Sequence, residues 1–316
     1  MGRWSGWRRV LVFAVVVAAC SLLRRSGAQL LTRQAQAARR EIFARAIGDQ
    51  APKGNKVYGK GSPGRIELLV LGDSIAAGLG ADRRRNTLGG RLAKTLAART
   101  QRSVRLRTVA VVGARTHMVL DQIEALPEDY RPDLAVVVVG GNDVTHGISI
   151  MRSVSDLGDV IDRLHALGAE VIVGTCPNLG AIRPLPQPLR TLASRRGALL
   201  ARAQRSVALA RGARTVSLGR VVGPIFLAEP EKMFSLDRFH PSVAGYRRTA
   251  KAMLPSLLAA VGELDELPAG HSVPKRDRAR ARTAGQTARS ARRARLRRRS
   301  RRRQGRRPAR SWAPPA

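Results

Sequence analysis

The chain has 316 residues and a formal net charge of +36, with 58 Lys or Arg against 22 Asp or Glu. That length holds one large domain with tails, or two small domains. Aromatics make up only 3%, so the core must be built from Val, Leu, Ile and Ala, and platforms for stacking bases or sugars are scarce.

The first element is Val10–Leu23, fourteen uncharged residues (VLVFAVVVAACSLL) between Arg8-Arg9 and Arg24-Arg25. As a helix it would span about 21 Å at 1.5 Å per residue, short of a bilayer core of roughly 30 Å. It reads as a membrane anchor with snorkelling arginines or as the apolar part of a signal segment. Val17-Ala18-Ala19-Cys20 also resembles a bacterial lipobox. Arginines on both sides leave the side of the membrane open. Gln29–Ala46 carries Leu30, Leu31, Ala35, Ala38, Ile42 and Phe43 at helical spacing, and Gly48–Arg65 is rich in Gly, Pro, Lys and Asn and reads as a linker.

The main domain is expected to begin near Arg65, at the stretch IELLVLGDSIAAGLG (Ile66–Gly80). A nearly continuous apolar run, then Gly72-Asp73-Ser74, then small residues is the pattern of a buried strand turning sharply into a helix. Asn86–Thr100 predicts an amphipathic helix with Asn86 as its cap. Val104–Val112 predicts a strand ending at Gly113, and Ala114–Ile123 a helix with Thr116 as a possible cap. Leu134–Val139 (LAVVVV) predicts a strand covered on both faces, followed by Gly140-Gly141-Asn142-Asp143. A helix over Val154–Leu167 stops at Gly168. Val171–Gly174 predicts a fourth strand, Leu189–Ala210 a long helix, Thr215–Leu218 a short fifth strand, Phe234–Pro241 a loop and Ser242–Val261 the last helix. Strands alternating with helices predict a parallel sheet of about five strands with helices on both faces. From His271 to Arg310 there are 18 Arg or Lys against one acid, Asp277, with no sustained apolar face. That stretch reads as a disordered, solvated tail.

Four features follow predicted strands or precede the last helix: Ser74, Gly113, Asn142 and the pair Asp237–His240. A parallel sheet lines up its strand C-termini along one edge, so these residues can converge. Their types suit acyl transfer. A serine hydroxyl needs a base, and a neutral imidazole supplies one. The imidazole needs an acceptor to hold its tautomer, and Asp237 stands three residues before His240. A tetrahedral oxyanion needs donors; the Ser74 N–H, the Gly113 N–H and the Asn142 amide can supply them. The two cysteines, Cys20 and Cys176, stand in unlike contexts without a CxxC or His cluster, so neither a disulfide nor a metal site is expected.

The ordered set resembles the SGNH, or GDSL-type, serine esterase/lipase family. Gly72-Asp73-Ser74 with Gly78 matches its first motif, Gly113 its second, Gly140-Gly141-Asn142-Asp143 its third, and Asp237-Arg238-Phe239-His240 its last. The similarity runs from about Ile66 to Val261. It implies a three-layer α/β/α, flavodoxin-like domain that uses no cofactor. It also implies Ser74 as nucleophile, His240 as general base, Asp237 as its orienting partner, and Ser74, Gly113 and Asn142 as the oxyanion hole. The expected reaction is hydrolysis of a small acyl ester through an acyl-enzyme. The alternatives are a deacetylase or thioesterase with the same machinery, or a non-catalytic SGNH-like binding module. Ser74 alone could equally cap a helix. Asp73 reads as a turn or cap residue and Asp143 as a loop organiser. His117 and His146 read as solvated or capping residues, and Cys176 as a small core or loop residue.

The expected organisation is an anchor or signal segment over 1–27, a helix and linker over 28–64, the hydrolase domain over 65–265 and an Arg-rich tail over 266–316. The protein is expected to be a monomer, membrane-associated through its N-terminal segment or secreted. The N-terminus and basic tail offer contact with a membrane surface, through lipid headgroups. Without interleaved aromatics the tail is not expected to read nucleic-acid sequence.

Overall fold

A computed structural model of the chain describes residues 25–42, 44–45, 50–61 and 63–274. The apolar segment 10–23 and the arginine run beyond 274 lie outside the described residues. Residues 25–42 form helix α1. The order then runs β1 (Lys56–Tyr58), β2 (Arg65–Gly72), α2 (Ser74–Ala77), α3 (Leu88–Thr100), β3 (Ser103–Thr108), α4 (Met118–Glu124), β4 (Leu134–Val138), α5 (Gly141–Thr145) and α6 (Ile150–Ala166). It continues with β5 (Glu170–Gly174), α7 (Leu189–Ala210), β6 (Arg214–Val216), the short helices α8 (Leu218–Val221), α9 (Gly223–Ala228) and α10 (Pro230–Met233), then α11 (Val243–Ala260) and β7 (His271–Ser272).

The sheet order is β1-β3-β2-β4-β5-β6-β7. Its five central strands are parallel. Counted by themselves they run 2-1-3-4-5, the flavodoxin-like order, in which the first and third strands flank the topological switch point. The two additions are short and antiparallel, β1 on β3 and β7 on β6. They lie outside the 65–265 span, in stretches that the sequence reads as linker and tail. Strands of two or three residues hold no periodic pattern to read.

Alternation along the strands divides the core in two. Ile66, Leu68 and Val70 of β2 face one cluster with Leu134, Val136 and Val138 of β4, against α3 and α11. Leu69 and Leu71 face the other with Ala135 and Val137, against α4 and α6. Both sheet faces are therefore apolar, which is why the strands read as unbroken runs. Each Leu, Ile or Val so buried contributes about 1.5–3 kcal/mol. Helix α1 belongs to the same body. Its Ala38 is 3% exposed in the first cluster, the Gln34 amide donates to the Gln187 carbonyl at 2.6 Å, and Gln34 Oε1 accepts from the Leu189 N–H at 3.2 Å. Among the described residues no helix is long and apolar enough to cross a membrane.

Local capping departs from the sequence in places. Thr87, not Asn86, caps α3, accepting from the Gly90 N–H at 3.1 Å. Asn86 is engaged instead with Asp82 and Arg91. Helix α6 begins four residues before Val154, where Ser149 accepts from the Arg152 N–H. Thr116 caps nothing; it is buried, and its N–H donates to Asp143. Leu218 opens a helix rather than closing a strand.

Candidate active site

Strand β2 delivers the turn that carries Ser74. The Asp73 N–H donates to the Val138 carbonyl of β4 at 3.0 Å. Both backbone groups of Gly72 are held by the buried Gln122 side chain, each at 2.9 Å. The Asp73 carboxylate then caps α2 by accepting from the Ile75 N–H at 2.9 Å. Ser74 is thus the first helical residue after the strand, with its N–H at a helix start.

The loop before α11 folds back on itself. The Ser235 N–H donates to the His240 carbonyl at 2.7 Å, and Phe234 and Pro241 form an isolated bridge. Asp237, 2% exposed, sits inside this loop. One of its oxygens accepts from the Phe239 and His240 N–H groups, both at 3.0 Å. The other lies 2.6 Å from His240 Nδ1. Burial alone would raise its pKa, but the His240 ring and the two amides outweigh burial and hold it below the ordinary carboxylate range. An ionised carboxylate can only accept, so Nδ1 carries a proton, and in the neutral form of the ring Nε2 is the acceptor. His240 Nε2 lies 3.0 Å from Ser74 Oγ. The hydroxyl therefore donates to the imidazole.

Gly80 makes this meeting possible. It has φ +95°, and a Cβ there would lie 2.6 Å from the Pro241 carbonyl and 3.3 Å from His240 Cβ. Only glycine lets the chain after α2 lie against the His240 loop. Tyr246, fully buried, ties α11 to the same turn through its hydroxyl on the Leu79 carbonyl at 2.7 Å. Arg238 in the loop has φ +55° and pairs with Glu231 and with Glu41 of α1.

Asn142, in α5 after β4, lines the same pocket as Ser74 and His240. Its amide donates to the Ala114 carbonyl at 3.1 Å, which leaves the second amide hydrogen available. Gly113 stands one residue before, in a turn closed by the Ala114 N–H on the Val111 carbonyl. Its φ of +81° suits the third position of a type II turn, where glycine is needed. Gly113 is exposed and does not line the pocket. Beneath, Asp143 is 1% exposed and holds the two loops together. It accepts from the Thr116 N–H at 3.2 Å and from Ser153 Oγ at 2.8 Å. Asp73 is pushed up to about 7, chiefly by burial, with Asp143 adding to the rise.

His146 binds the Asn142 carbonyl through Nδ1 at 2.8 Å, and His117 precedes α4 without a side-chain cap. Cys176 is 1% exposed, and burial raises its thiol pKa. Among the described residues no cluster of His, Cys, Asp or Glu could hold a metal ion.

The pocket beside Ser74 is small, about 70 Å³, and mostly apolar, with Leu179, Ile182, Leu218, Val222, Phe226 and Phe234 in its wall. The sequence assigns chain-length and head-group specificity to stretches 179–189 and 221–234, which hold all of these residues but Leu218; it does not single out the side chains, because the short helices between β6 and α11 carry no periodic pattern. It also misses Gln122 and Gln204. The latter accepts from the Cys176 N–H and donates to the Val139 carbonyl, joining β4 and β5. Each glutamine stands on an otherwise apolar helical stripe, such as Ala193, Gly197, Leu200, Gln204 and Ala208. That is the signal by which they could be found.

The model of the GDSL-like lipase/acylhydrolase family matches residues 70–248. The chain belongs to that family, and so to the hydrolases of carboxylic esters. It is 38% identical over 239 residues to a protein of Mycobacterium tuberculosis named GDSL-like esterase Rv1075c, covering 72% of this chain and 76% of the relative. It is 28% identical over 196 residues to esterase TesA of Pseudomonas aeruginosa, covering 60% and 87%. A crystal structure of TesA superposes with a TM-score of 0.50 at 24% identity, over 61% of this chain and 99% of that one. This likeness shows the shared fold.

Proposed function

We propose that Ser74 is the nucleophile of a carboxylic ester hydrolase that works through an acyl-enzyme. His240 takes the hydroxyl proton as Ser74 Oγ attacks the ester carbonyl. Asp237 holds the ring and stabilises the imidazolium. The oxyanion is held by the Ser74 N–H, the Gly113 N–H and the Asn142 amide. His240 returns the proton to the leaving alcohol; water then enters, and the same steps release the acid. The observation that carries this reading is the side-chain chain Ser74–His240–Asp237 at 3.0 Å and 2.6 Å. An engineered apolar cavity of about 150 Å³ holds benzene, so a pocket of about 70 Å³ favours an acyl group of a few carbons.

A fluorophosphonate probe tests the assignment. Covalent labelling mapped to Ser74 is the expected result; folded protein that takes no label favours a non-catalytic binding module. Profiles across p-nitrophenyl esters, acetylated sugars and thioesters then separate an esterase from a deacetylase or thioesterase.

We also propose that the protein works at a membrane surface. The apolar segment 10–23 leads directly into α1, whose Glu41 meets Arg238 beside the triad loop. Met151, in the first turn of α6, and Leu236, in the loop that carries Asp237 and His240, are 82% and 79% exposed. Flotation with electrically neutral vesicles, which give the basic tail nothing to bind, should be lost when residues 1–24 are removed. Undiminished flotation would place the contact elsewhere.

A further inference from the structure

A second, larger cavity of about 580 Å³ shares Pro177 and Asn178 with the pocket beside Ser74. Its sides come from α7, from the end of β5, from the start of α8 and from β7. Ser194, Ala198, Ala201 and Arg205 of α7 fall at helical spacing on one face, with Arg202 beside them. The small Ala198, Ala201, Gly219 and Gly270 keep the space open.

Its chemistry is one-sided. Arg202, Arg205 and Arg220, all exposed, stand in its lining, and among the described residues no Asp or Glu does. The Arg202 and Arg220 side chains hold no hydrogen bond or ion pair to the described residues. Arg205 spends Nε on Ser272 Oγ at 3.0 Å, leaving its terminal nitrogens for another partner. Thr175 stands in the lining with its hydroxyl fully buried and unpartnered. Ser217 adds a hydroxyl that caps nothing. Arginine forks match the oxygens of phosphate bidentately. A phosphomonoester brings about −1.5 to −2 charges at pH 7, enough for three cations where one carboxylate would satisfy a single arginine. The volume lies within the range of about 300–1,000 Å³ of small-molecule sites, larger than a bare phosphate ion needs.

We propose that this cavity is a binding site for a small organic phosphomonoester, its phosphate held by Arg202, Arg205 and Arg220. The proposal is independent of the catalytic reading. Calorimetric titration of the full chain with phenyl phosphate at fixed ionic strength tests it, with inorganic phosphate and benzyl alcohol alongside. One saturable site for phenyl phosphate and none for benzyl alcohol are expected. The double variant Arg202→Ala/Arg220→Ala should weaken binding at least tenfold. A charge-matched control, Arg195→Ala/Arg248→Ala, removes two exposed cations outside the cavity and should change it less than twofold. Tighter binding of phenyl phosphate than of inorganic phosphate assigns the site to an organic ester; equal affinities overturn that part and leave an inorganic phosphate site. Absence of saturable binding, or equal weakening by the control pair, overturns the site altogether, since either result leaves only the diffuse attraction of a basic chain.

Discussion

Ser74, His240 and Asp237 meet through side chains, at 3.0 Å and 2.6 Å, whereas Gly113 and Asn142 hold no hydrogen bond to any of them. Asn142 is tied to the Ala114 carbonyl, and the Gly113 turn is tied to its neighbours through Asp143 and Thr116. The proposed proton-transfer half is thus a contact of side chains between the start of α2 and the loop before α11. The proposed oxyanion half joins placed backbone N–H groups to one side-chain amide, that of Asn142, which the Ala114 carbonyl positions. The first should fail when one side-chain atom is changed. The second should fail in proportion to the donor lost or the turn strained.

Asp237→Asn should give the largest loss among these changes short of removing Ser74. The amide cannot hold Nδ1 protonated as the carboxylate does, so the ring presents the wrong tautomer; in the serine-protease triad the same change lowers kcat about 10⁴-fold. A loss below tenfold in steady-state turnover of a p-nitrophenyl ester would place Asp237 outside the relay. Asn142→Ala removes one donor and should lower kcat roughly 10²–10³-fold with KM little changed. A loss under threefold would remove Asn142 from the hole. Gly113→Ala meets open space, since a Cβ there has nothing within 4 Å. Only its φ of +81° opposes the change, at about 1–2 kcal/mol. It should lower Tm by a few degrees and kcat less than tenfold; a larger kcat loss at unchanged Tm would mean that its N–H is critical in the hole.

The smallest effect concerns the turn itself. Asp73 is raised from 3.8 to about 7, so the folded state binds its proton more tightly than the unfolded chain does. The group then favours the fold below about pH 4 and withdraws that support as pH rises towards 7. Asp73→Asn keeps a capping side chain without the charge. Its stability relative to the parent should rise between about pH 4 and 7, as denaturant melts at several pH values would show. A pH-independent difference would mean that Asp73 is ionised throughout in the fold.

Much of the frame was legible because burial on both sheet faces leaves plain apolar runs, as in β2 and β4. Long helices were legible too, and α7 spans Leu189–Ala210 as its periodicity predicts. The candidate triad and oxyanion residues stood out because each follows a strand or precedes a capped helix. What was hidden lacks period or length. Strands β1 and β7 are too short to alternate, and α8 and α9, which bring Leu218, Gly223 and Phe226 to the pocket beside Ser74, are only four and six residues long. Gln122 and Gln204 were hidden for another reason. Their value lies in backbone groups that only the assembled sheet edge brings within reach.

The central claim is that Ser74 attacks the ester. Steady-state hydrolysis of p-nitrophenyl butyrate by purified, folded Ser74→Ala measures it most directly. The expected result is a fall in kcat of at least about 10⁴-fold, to the level that binding and oxyanion donors alone sustain, with an unchanged circular dichroism spectrum. Turnover within tenfold of the parent would contradict it.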